Sequence, residues 1–328
     1  MATTTAAAPA KKPDQNGGAA ASALLDKLKP FIPFLGLILV VLFFQIATGG
    51  KLIAMSNLSV FINQAFTIVI AACGAVFLMS QGNLDFSMAG NVCVTAAVTA
   101  MVSQVNPILS IPVALLVGSL LGLFNGVAHA ILGLPAFIAT LAASFMFTGI
   151  ANVLLGSGAL PASYSLKALD NTPIKFAVLA VVIVATFIAM ERMPFGKQCK
   201  AIGAKEEVAR QSGVNIKVKK IIPFVICGFA CGLIAIFAIL RTCTASSSTG
   251  ASTQINTILA LLLGGIPFSG GWSARFRGVI IGSLMMAVVA NGLILMGVPS
   301  LTQQVIKGIL FISAVAISFD RKNTAVIK

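Results

Sequence analysis

Charged residues are scarce in this chain, and acidic ones are the scarcest. Only 9% of its 328 residues are Asp, Glu, Lys or Arg, and 58% are hydrophobic. A soluble domain covers its surface with far more charge, so this composition excludes one. A membrane-spanning helix takes roughly 20 apolar residues. Suitable runs lie near residues 31–47, 58–79, 86–105, 110–132, 136–155, 174–190, 222–241, 255–268, 277–296 and 301–319. The sequence therefore predicts an all-α polytopic membrane protein of about ten transmembrane helices.

The sequence also lacks the motifs of enzymes. It has one histidine, and it contains no G-x-x-x-x-G-K-[ST] loop, no H-E-x-x-H and no G-x-S-x-G. Nucleotide hydrolysis, zinc hydrolysis and serine hydrolysis therefore have no residues to perform them. The six cysteines form no C-x-x-C pair and indicate small packing residues. We predict no catalytic residue, no metal site and no cofactor bound by this chain.

The main charged segment is the loop from Glu191 to Ile221, which carries eight Lys or Arg and three Glu. Basic loops between membrane spans stay in the cytoplasm. With ten spans and a cytoplasmic N-terminus, 17 of the 22 basic residues fall on the cytoplasmic side. We therefore expect both termini in the cytoplasm, with residues 1–30 as a disordered tail and residues 323–328 as a second tail. Anionic membrane lipid accounts for the net charge of +14, so no nucleic-acid partner is expected.

Two segments of the chain resemble each other. Gly118–Pro135 and Gly282–Pro299 both begin with Gly-Ser-Leu, end with Gly-x-Pro and contain Asn-Gly. Each follows a glycine-interrupted segment with Phe-Ser, at residues 82–90 and 264–272. The predicted topology runs the two in opposite directions. This pattern indicates inverted repeats, with halves near residues 58–155 and 222–319, which is typical of transporters.

Glycine-interrupted segments are tolerated at membrane depth only where they face protein or a water-filled path. We therefore predict that both segments shape a transport pathway, and that Ser, Thr and Asn groups on the spans contribute to it. The predicted pathway or gating residues are Asn83, Asp85, Phe86, Ser87, Asn125, Thr140, Gly265, Phe268, Ser269 and Asn291. For Asp85 a helix-capping role is favoured over contact with the solute.

Two further polar residues lie inside predicted spans. His129 is one helical turn from Asn125, which favours a hydrogen-bonded contact between helices over a proton carrier. Lys307 can extend to the outer interface, which is the favoured interpretation. It can instead line the pathway together with Gln303 and Gln304.

Several stretches resemble the membrane permease subunits of bacterial ABC importers for ribose, xylose, arabinose and galactose. They are GNLDFSMAG (82–90), LPAFIATLAA (134–143), FGKQCKAIGAKEEVARQSGVNIKVKK (195–220) and the segment from TILALLLGGIPFSGG to NGLILMGV. The resemblance covers about residues 31–322, which form the permease domain. It implies that the cytoplasmic loop 191–221 carries a coupling helix for a separate ATPase. The residues of that loop singled out are Ala204, Glu206, Glu207, Arg210 and Gly213.

The resemblance implies ATP-driven import of a monosaccharide such as ribose across the bacterial inner membrane. The implied partners are an ABC ATPase subunit that uses the ATP, a periplasmic or lipid-anchored sugar-binding protein, and a second permease copy in a homodimer or heterodimer. Two alternatives remain: a secondary transporter driven by an ion gradient, and an ABC permease for nucleosides or another sugar-like solute. The scarcity of intramembrane acids disfavours the ion-driven transporter.

Overall fold

The fold is a bundle of apolar helices. The computed structural model describes residues 32–156 and 158–318, so the two predicted terminal tails lie outside the described residues. The main helices are α1 (Ile32–Ala47), α2 (Met55–Ser80), α3 (Met88–Val105), α4 (Pro107–Ala130), α5 (Ala136–Leu155), α6 (Thr172–Phe187), α7 (Pro194–Ala204), α8 (Glu206–Gln211), α9 (Ile216–Thr242), α10 (Thr253–Leu263), α11 (Phe276–Leu295) and α12 (Ser300–Ser318). A π-helical turn, Ile188–Arg192, extends α6.

The predicted all-α polytopic architecture is confirmed. Within the described residues, seven helices are long and apolar enough to cross a membrane. Three further apolar helices are shorter: Pro33–Ala47, Thr253–Leu263 and Ser300–Ala316. Together they correspond one for one to the ten apolar runs of the sequence, and α7 and α8 lie in the basic loop.

Several helix ends differ from the predicted span boundaries by a few residues, and two of the differences have a clear cause. The third span begins at Met88 rather than 86, because the Asp85 carboxylate accepts the Ser87 backbone N–H at 2.8 Å and holds a turn there. The eighth ends at Leu263 rather than 268. Gly265 adopts a φ of +81° and Pro267 follows, so the helix cannot continue.

The helix neighbours repeat between the two halves. In the first half, α3 packs against α4 and α5, and it also contacts α9. In the second half, α10 packs against α11 and α12, and it also contacts α2. Helices α2 and α9, the first helices of the two halves, also pack against each other. The first helix of each half therefore contacts helices of the other half. This is the packing that the repeated sequence segments predict.

Glycines bring α4 and α9 into close contact. A methyl group added to Gly118 would lie 2.9 Å from the Gly232 Cα, and one added to Gly228 would lie 2.9 Å from the Gly122 Cα. Only glycine permits this separation between two backbones. The G-x-x-x-G spacing in both helices therefore serves packing within this chain.

The ends of the bundle differ. At the end away from the basic loop, strand β1 (Leu160–Pro161) pairs antiparallel with β2 (Thr244–Ala245). This short ladder joins the loop after α5 to the loop after α9, one from each half. The basic loop with α7 and α8 occupies the opposite end.

Candidate functional site

A polar cavity of about 530 Å³ opens in the half of the bundle away from the basic loop. Three helices each supply a stripe of three polar side chains. The spacing is either i, i+3, i+4 or i, i+1, i+4, so each stripe lies on one helix face. The stripes are Asn63, Gln64 and Thr67 on α2; Thr253, Asn256 and Thr257 on α10; and Gln303, Gln304 and Lys307 on α12. Arg241, Ser248, Ser252 and Ser300 complete the polar lining, and apolar side chains such as Ala71 and Ala290 fill the remainder.

The cavity presents hydrogen-bonding groups that the protein leaves open. Among the described residues, Gln64 Oε1 and Asn256 Oδ1 are buried and have no hydrogen-bond partner. A buried acceptor without a partner is costly, so it favours a ligand that donates a hydrogen bond. No carboxylate lines the cavity. Its two charged groups, Arg241 and Lys307, are both cationic, so the arrangement suits a polyhydroxylated molecule better than one that carries an ammonium group.

Lys307 belongs to this cavity, and the favoured prediction that it extends to the outer interface is wrong. Its side chain is buried and lines the cavity with Gln303 and Gln304. Helix α12 packs against α10, and residues of both helices line the cavity beside Lys307. The bundle interior, rather than the lipid interface, therefore surrounds the lysine.

Three of the predicted pathway residues form a buried hydrogen-bonded chain elsewhere. The Asn125 side-chain amide donates to Ser87 Oγ at 2.6 Å, and Ser87 Oγ donates to Asp85 Oδ1 at 2.6 Å. All three side chains are buried. The chain fastens the start of α3 to α4, and none of these residues lines the polar cavity.

The remaining pathway candidates also contact protein. Asn83 is hydrogen-bonded to His129 (3.3 Å), whose other ring nitrogen bonds the Leu134 carbonyl (2.8 Å). His129 is therefore hydrogen-bonded as predicted, but to two loop residues rather than to another helix. Thr140 donates to Ala136 O at 2.8 Å. The Phe86 ring packs edge-on against Phe137, and the Phe268 ring packs edge-on against Phe311. The side-chain amides of Asn291 and Asn57 exchange two hydrogen bonds, at 2.6 and 3.2 Å. Gly265 and Ser269 are exposed.

The two glycine-interrupted segments face each other. The Gly271 backbone N–H donates to Ser80 O at 2.8 Å, and a methyl group on Gly82 would lie 3.1 Å from Ser269 O. Gly203, near the end of α7, closes on the same point: a methyl group there would lie 2.7 Å from the Gly271 backbone nitrogen and 3.1 Å from the Gln81 Cα. We call this meeting point of α7 with residues 80–82 and 269–271 the glycine junction.

Polar contacts attach the basic loop around this junction. Gln81 Nε2 donates to Lys219 O at 2.7 Å and to Cys199 Sγ at 3.3 Å, and burial raises the pKa of the Cys199 thiol to about 11, so it stays protonated. Glu191 accepts the Phe276 backbone N–H at 2.9 Å, at the start of α11, and binds Lys200 at 3.0 Å. A displacement of the loop would therefore be transmitted to α2, α9 and α11.

The short helix α8 projects from this loop. Glu206 forms an ion pair with Lys220 at 2.8 Å and so braces α8 against the start of α9. Glu207 and Arg210 are 74% and 67% exposed and lie 3.9 Å apart. Ala204 ends α7, and Gly213, with a φ of +80°, forms the turn after α8. The exposed Glu207–Arg210 face is free to contact another protein.

Comparison with known proteins gives the class of the chain. Residues 57–315 match the family described as "Branched-chain amino acid transport system / permease component". The chain belongs to this permease family. The ribose import permease protein RbsC of Bacillus subtilis (strain 168) is 30% identical over 89% of this chain and 93% of its own length. No solved structure gives a significant match.

Other relatives are also sugar permeases. RbsC of Escherichia coli (strain K12) is 27% identical over 80% of this chain and 85% of its own. The D-allose transport system permease protein AlsC of the same organism is 27% identical over 89% and 91%. The predicted resemblance to monosaccharide permeases is confirmed. The permease is a transport component and not an enzyme.

Sequence reasoning missed most of the cavity of this permease. The signal was present in the spacing of Asn63, Gln64 and Thr67, of Thr253, Asn256 and Thr257, and of the α12 stripe. Each stripe places polar side chains on one face of an otherwise apolar span, and such residues face the bundle interior.

Proposed function

We propose that this chain is the membrane-spanning subunit of an ATP-driven importer of a monosaccharide across the bacterial inner membrane. The polar cavity is the observation that carries the proposal. It is lined by amides, hydroxyls and the two basic side chains of Arg241 and Lys307, holds two buried acceptors without partners and contains no carboxylate. A sugar donates and accepts hydrogen bonds over its whole surface, so it matches this lining. A branched-chain amino acid would leave its ammonium group without a carboxylate.

The substrate class draws support from the relatives, which import ribose or allose by their names. A nucleoside, which also carries a sugar ring, is the second candidate because its hydroxyls would meet the same lining. A cavity that binds the solute weakly also allows the solute to be released.

The proposal includes three protein partners. A separate ATPase subunit would bind the exposed α8 face, because this chain has no nucleotide-binding loop of its own. A sugar-binding protein would dock on loops 156–173 and 242–254, which lie at the end of the bundle where the cavity opens. A second permease copy, identical or related, would complete the complex.

Both termini are proposed to lie in the cytoplasm. The support is the excess of basic residues on that side, 17 of 22. A reporter enzyme that works only in the cytoplasm should be active when it is fused after Lys328. Activity of a periplasm-only reporter at the same position would contradict the orientation.

Reversing the charge of Glu207 tests ATPase binding. Glu207→Lys should leave the permease in the membrane but weaken ATPase binding by about tenfold or more, because charge-assisted hydrogen bonds contribute about 1.5–3 kcal/mol. Solute-stimulated ATP hydrolysis by the assembled complex is the measurement. Lys51→Glu, an exposed charge reversal at the opposite end of the bundle, is the control. Equal stimulation in both variants would mean that Glu207 faces only solvent.

A further inference from the structure

A second cavity lies at the end of the bundle that carries the basic loop. It measures about 520 Å³ and is formed by the end of α6, by α7 and by the start of α11. Its lining is Phe187, Met190, Glu191, Lys197, Lys200, Trp272, Arg275, Phe276 and Arg277. Four of these nine residues are basic and one is acidic. The cavity therefore carries a net positive charge.

The single acid in this cavity is already engaged. Glu191 binds Lys200 through one oxygen and the Phe276 backbone N–H through the other. Lys197, Arg275 and Arg277 are exposed, and no salt bridge within the described residues involves them. Three cationic side chains thus converge on one cavity and remain free for an anion.

The surroundings of the cavity are those of a membrane interface. Along α6, Val181 and Val184 are 68% and 53% exposed, and this apolar flank leads to Phe187 at the cavity. Trp272 is 61% exposed at its rim. Tryptophan is enriched where the apolar and headgroup regions of a bilayer meet. A molecule with an anionic head and apolar chains would place the head among the cations and the chains along α6.

We propose that this cavity binds the headgroup of an anionic phospholipid of the inner leaflet. The three free cations would bind the phosphate, and α6 would contact the acyl chains. Basic cavities between membrane helices on the cytoplasmic side are suited to such headgroups. Because Lys197 and Lys200 belong to α7 and Arg275 and Arg277 flank the start of α11, the bound lipid would bridge the basic loop to α11.

Trp272 allows a direct test, because it is the only tryptophan in the chain. The purified permease is reconstituted in phosphatidylcholine vesicles that contain about 10–20% phosphatidylglycerol. In one set of vesicles phosphatidylglycerol is brominated on its acyl chains, and in the other phosphatidylcholine is, so that the brominated lipid quenches indole fluorescence on contact. Brominated phosphatidylglycerol should quench Trp272 several-fold more than brominated phosphatidylcholine at the same mole fraction. Equal quenching by both lipids would overturn the proposal.

Variants make the test specific. Lys197→Glu and Arg277→Glu should each lower the preference for phosphatidylglycerol by about fivefold or more, whereas Lys217→Glu, an exposed reversal elsewhere on the loop, should leave it unchanged. Loss of the preference in Lys217→Glu as well would reduce the effect to general surface charge and contradict a defined site. Millimolar inorganic phosphate should not displace the lipid; displacement would identify a site for free phosphate instead. The measurement needs no transport, so its outcome is independent of the proposed import function.

Discussion

Replacing Ser252 with tryptophan should abolish solute import while the permease still inserts and assembles. Ser252 is exposed, lines the polar cavity and begins α10 without a side-chain capping bond. The folded protein therefore tolerates a larger side chain at this position. An indole there would occupy part of the cavity of about 530 Å³ and replace hydrogen-bonding surface with apolar surface. We expect uptake of the labelled solute to fall at least about a hundredfold, since both passage and solute contacts would be lost.

The neighbouring residue Ser247 supplies a matched control. It is also exposed in the same loop, but it does not line the cavity. Ser247 lies on loop 242–254, which is proposed to dock the sugar-binding protein, so Ser247→Trp measures any loss at that surface. This loss should be much smaller than in Ser252→Trp, and Ser252→Ala should import at nearly the wild-type rate. Equal losses in the two tryptophan variants would point to the loop surface, and normal import by Ser252→Trp would show that solute does not pass through this cavity.

The second large effect is expected at Gly203 of the glycine junction. Gly203→Ala would push a methyl group to within 2.7 Å of the Gly271 backbone nitrogen and against Ser80 and Gln81. Such overpacking costs about 1–3 kcal/mol or more, and here it falls on rigid backbone. The basic loop would then separate from residues 80–82 and 269–271. We expect import to fall by more than about tenfold while the complex retains basal ATP hydrolysis that solute no longer stimulates.

Two further variants distinguish loss of coupling at the glycine junction from loss of folding. Gly149 also lies inside a helix, but a methyl group there would meet nothing within 4 Å, so Gly149→Ala should behave as wild type. Gln81→Leu removes the hydrogen bonds to Lys219 O and Cys199 without crowding the backbone. It should weaken the stimulation of ATP hydrolysis in the same direction as Gly203→Ala. Unchanged stimulation in both Gly203→Ala and Gln81→Leu would show that the junction does not transmit motion.

The bundle itself was accessible from sequence because it follows from local physical rules. Apolar run length predicted ten helices, and the four-residue spacing of Gly118 with Gly122 and of Gly228 with Gly232 is typical of helices in close contact. The early end of α10 was harder to predict. Leu263 is followed by the apolar residues Ile266 and Phe268, so hydropathy continues beyond the point at which Gly265 turns the backbone.

The position of the cavity was less accessible, because it depends on which helices meet. From sequence, Asn125 is predicted to line the pathway as a polar group on a span and Ser87 as part of a glycine-interrupted segment, whereas for Asp85 a capping role is favoured over solute contact. In the structure these three side chains bond one another in a chain within the protein, although Asn125 Oδ1 is buried without a partner among the described residues. Gln64 and Asn256 are 192 residues apart in sequence, and only the packing of α2 against α10 brings them to one cavity.

Import driven by ATP is tested most directly in proteoliposomes. The permease is reconstituted with an ATPase subunit and a solute-binding protein from the same organism, and labelled ribose, xylose, allose and leucine are supplied on the side of the binding protein. Uptake of one of the sugars should require ATP on the side of the basic loop, and leucine should not enter. Uptake by the permease alone, driven by an imposed proton or sodium gradient without the ATPase, would contradict an ATP-driven importer.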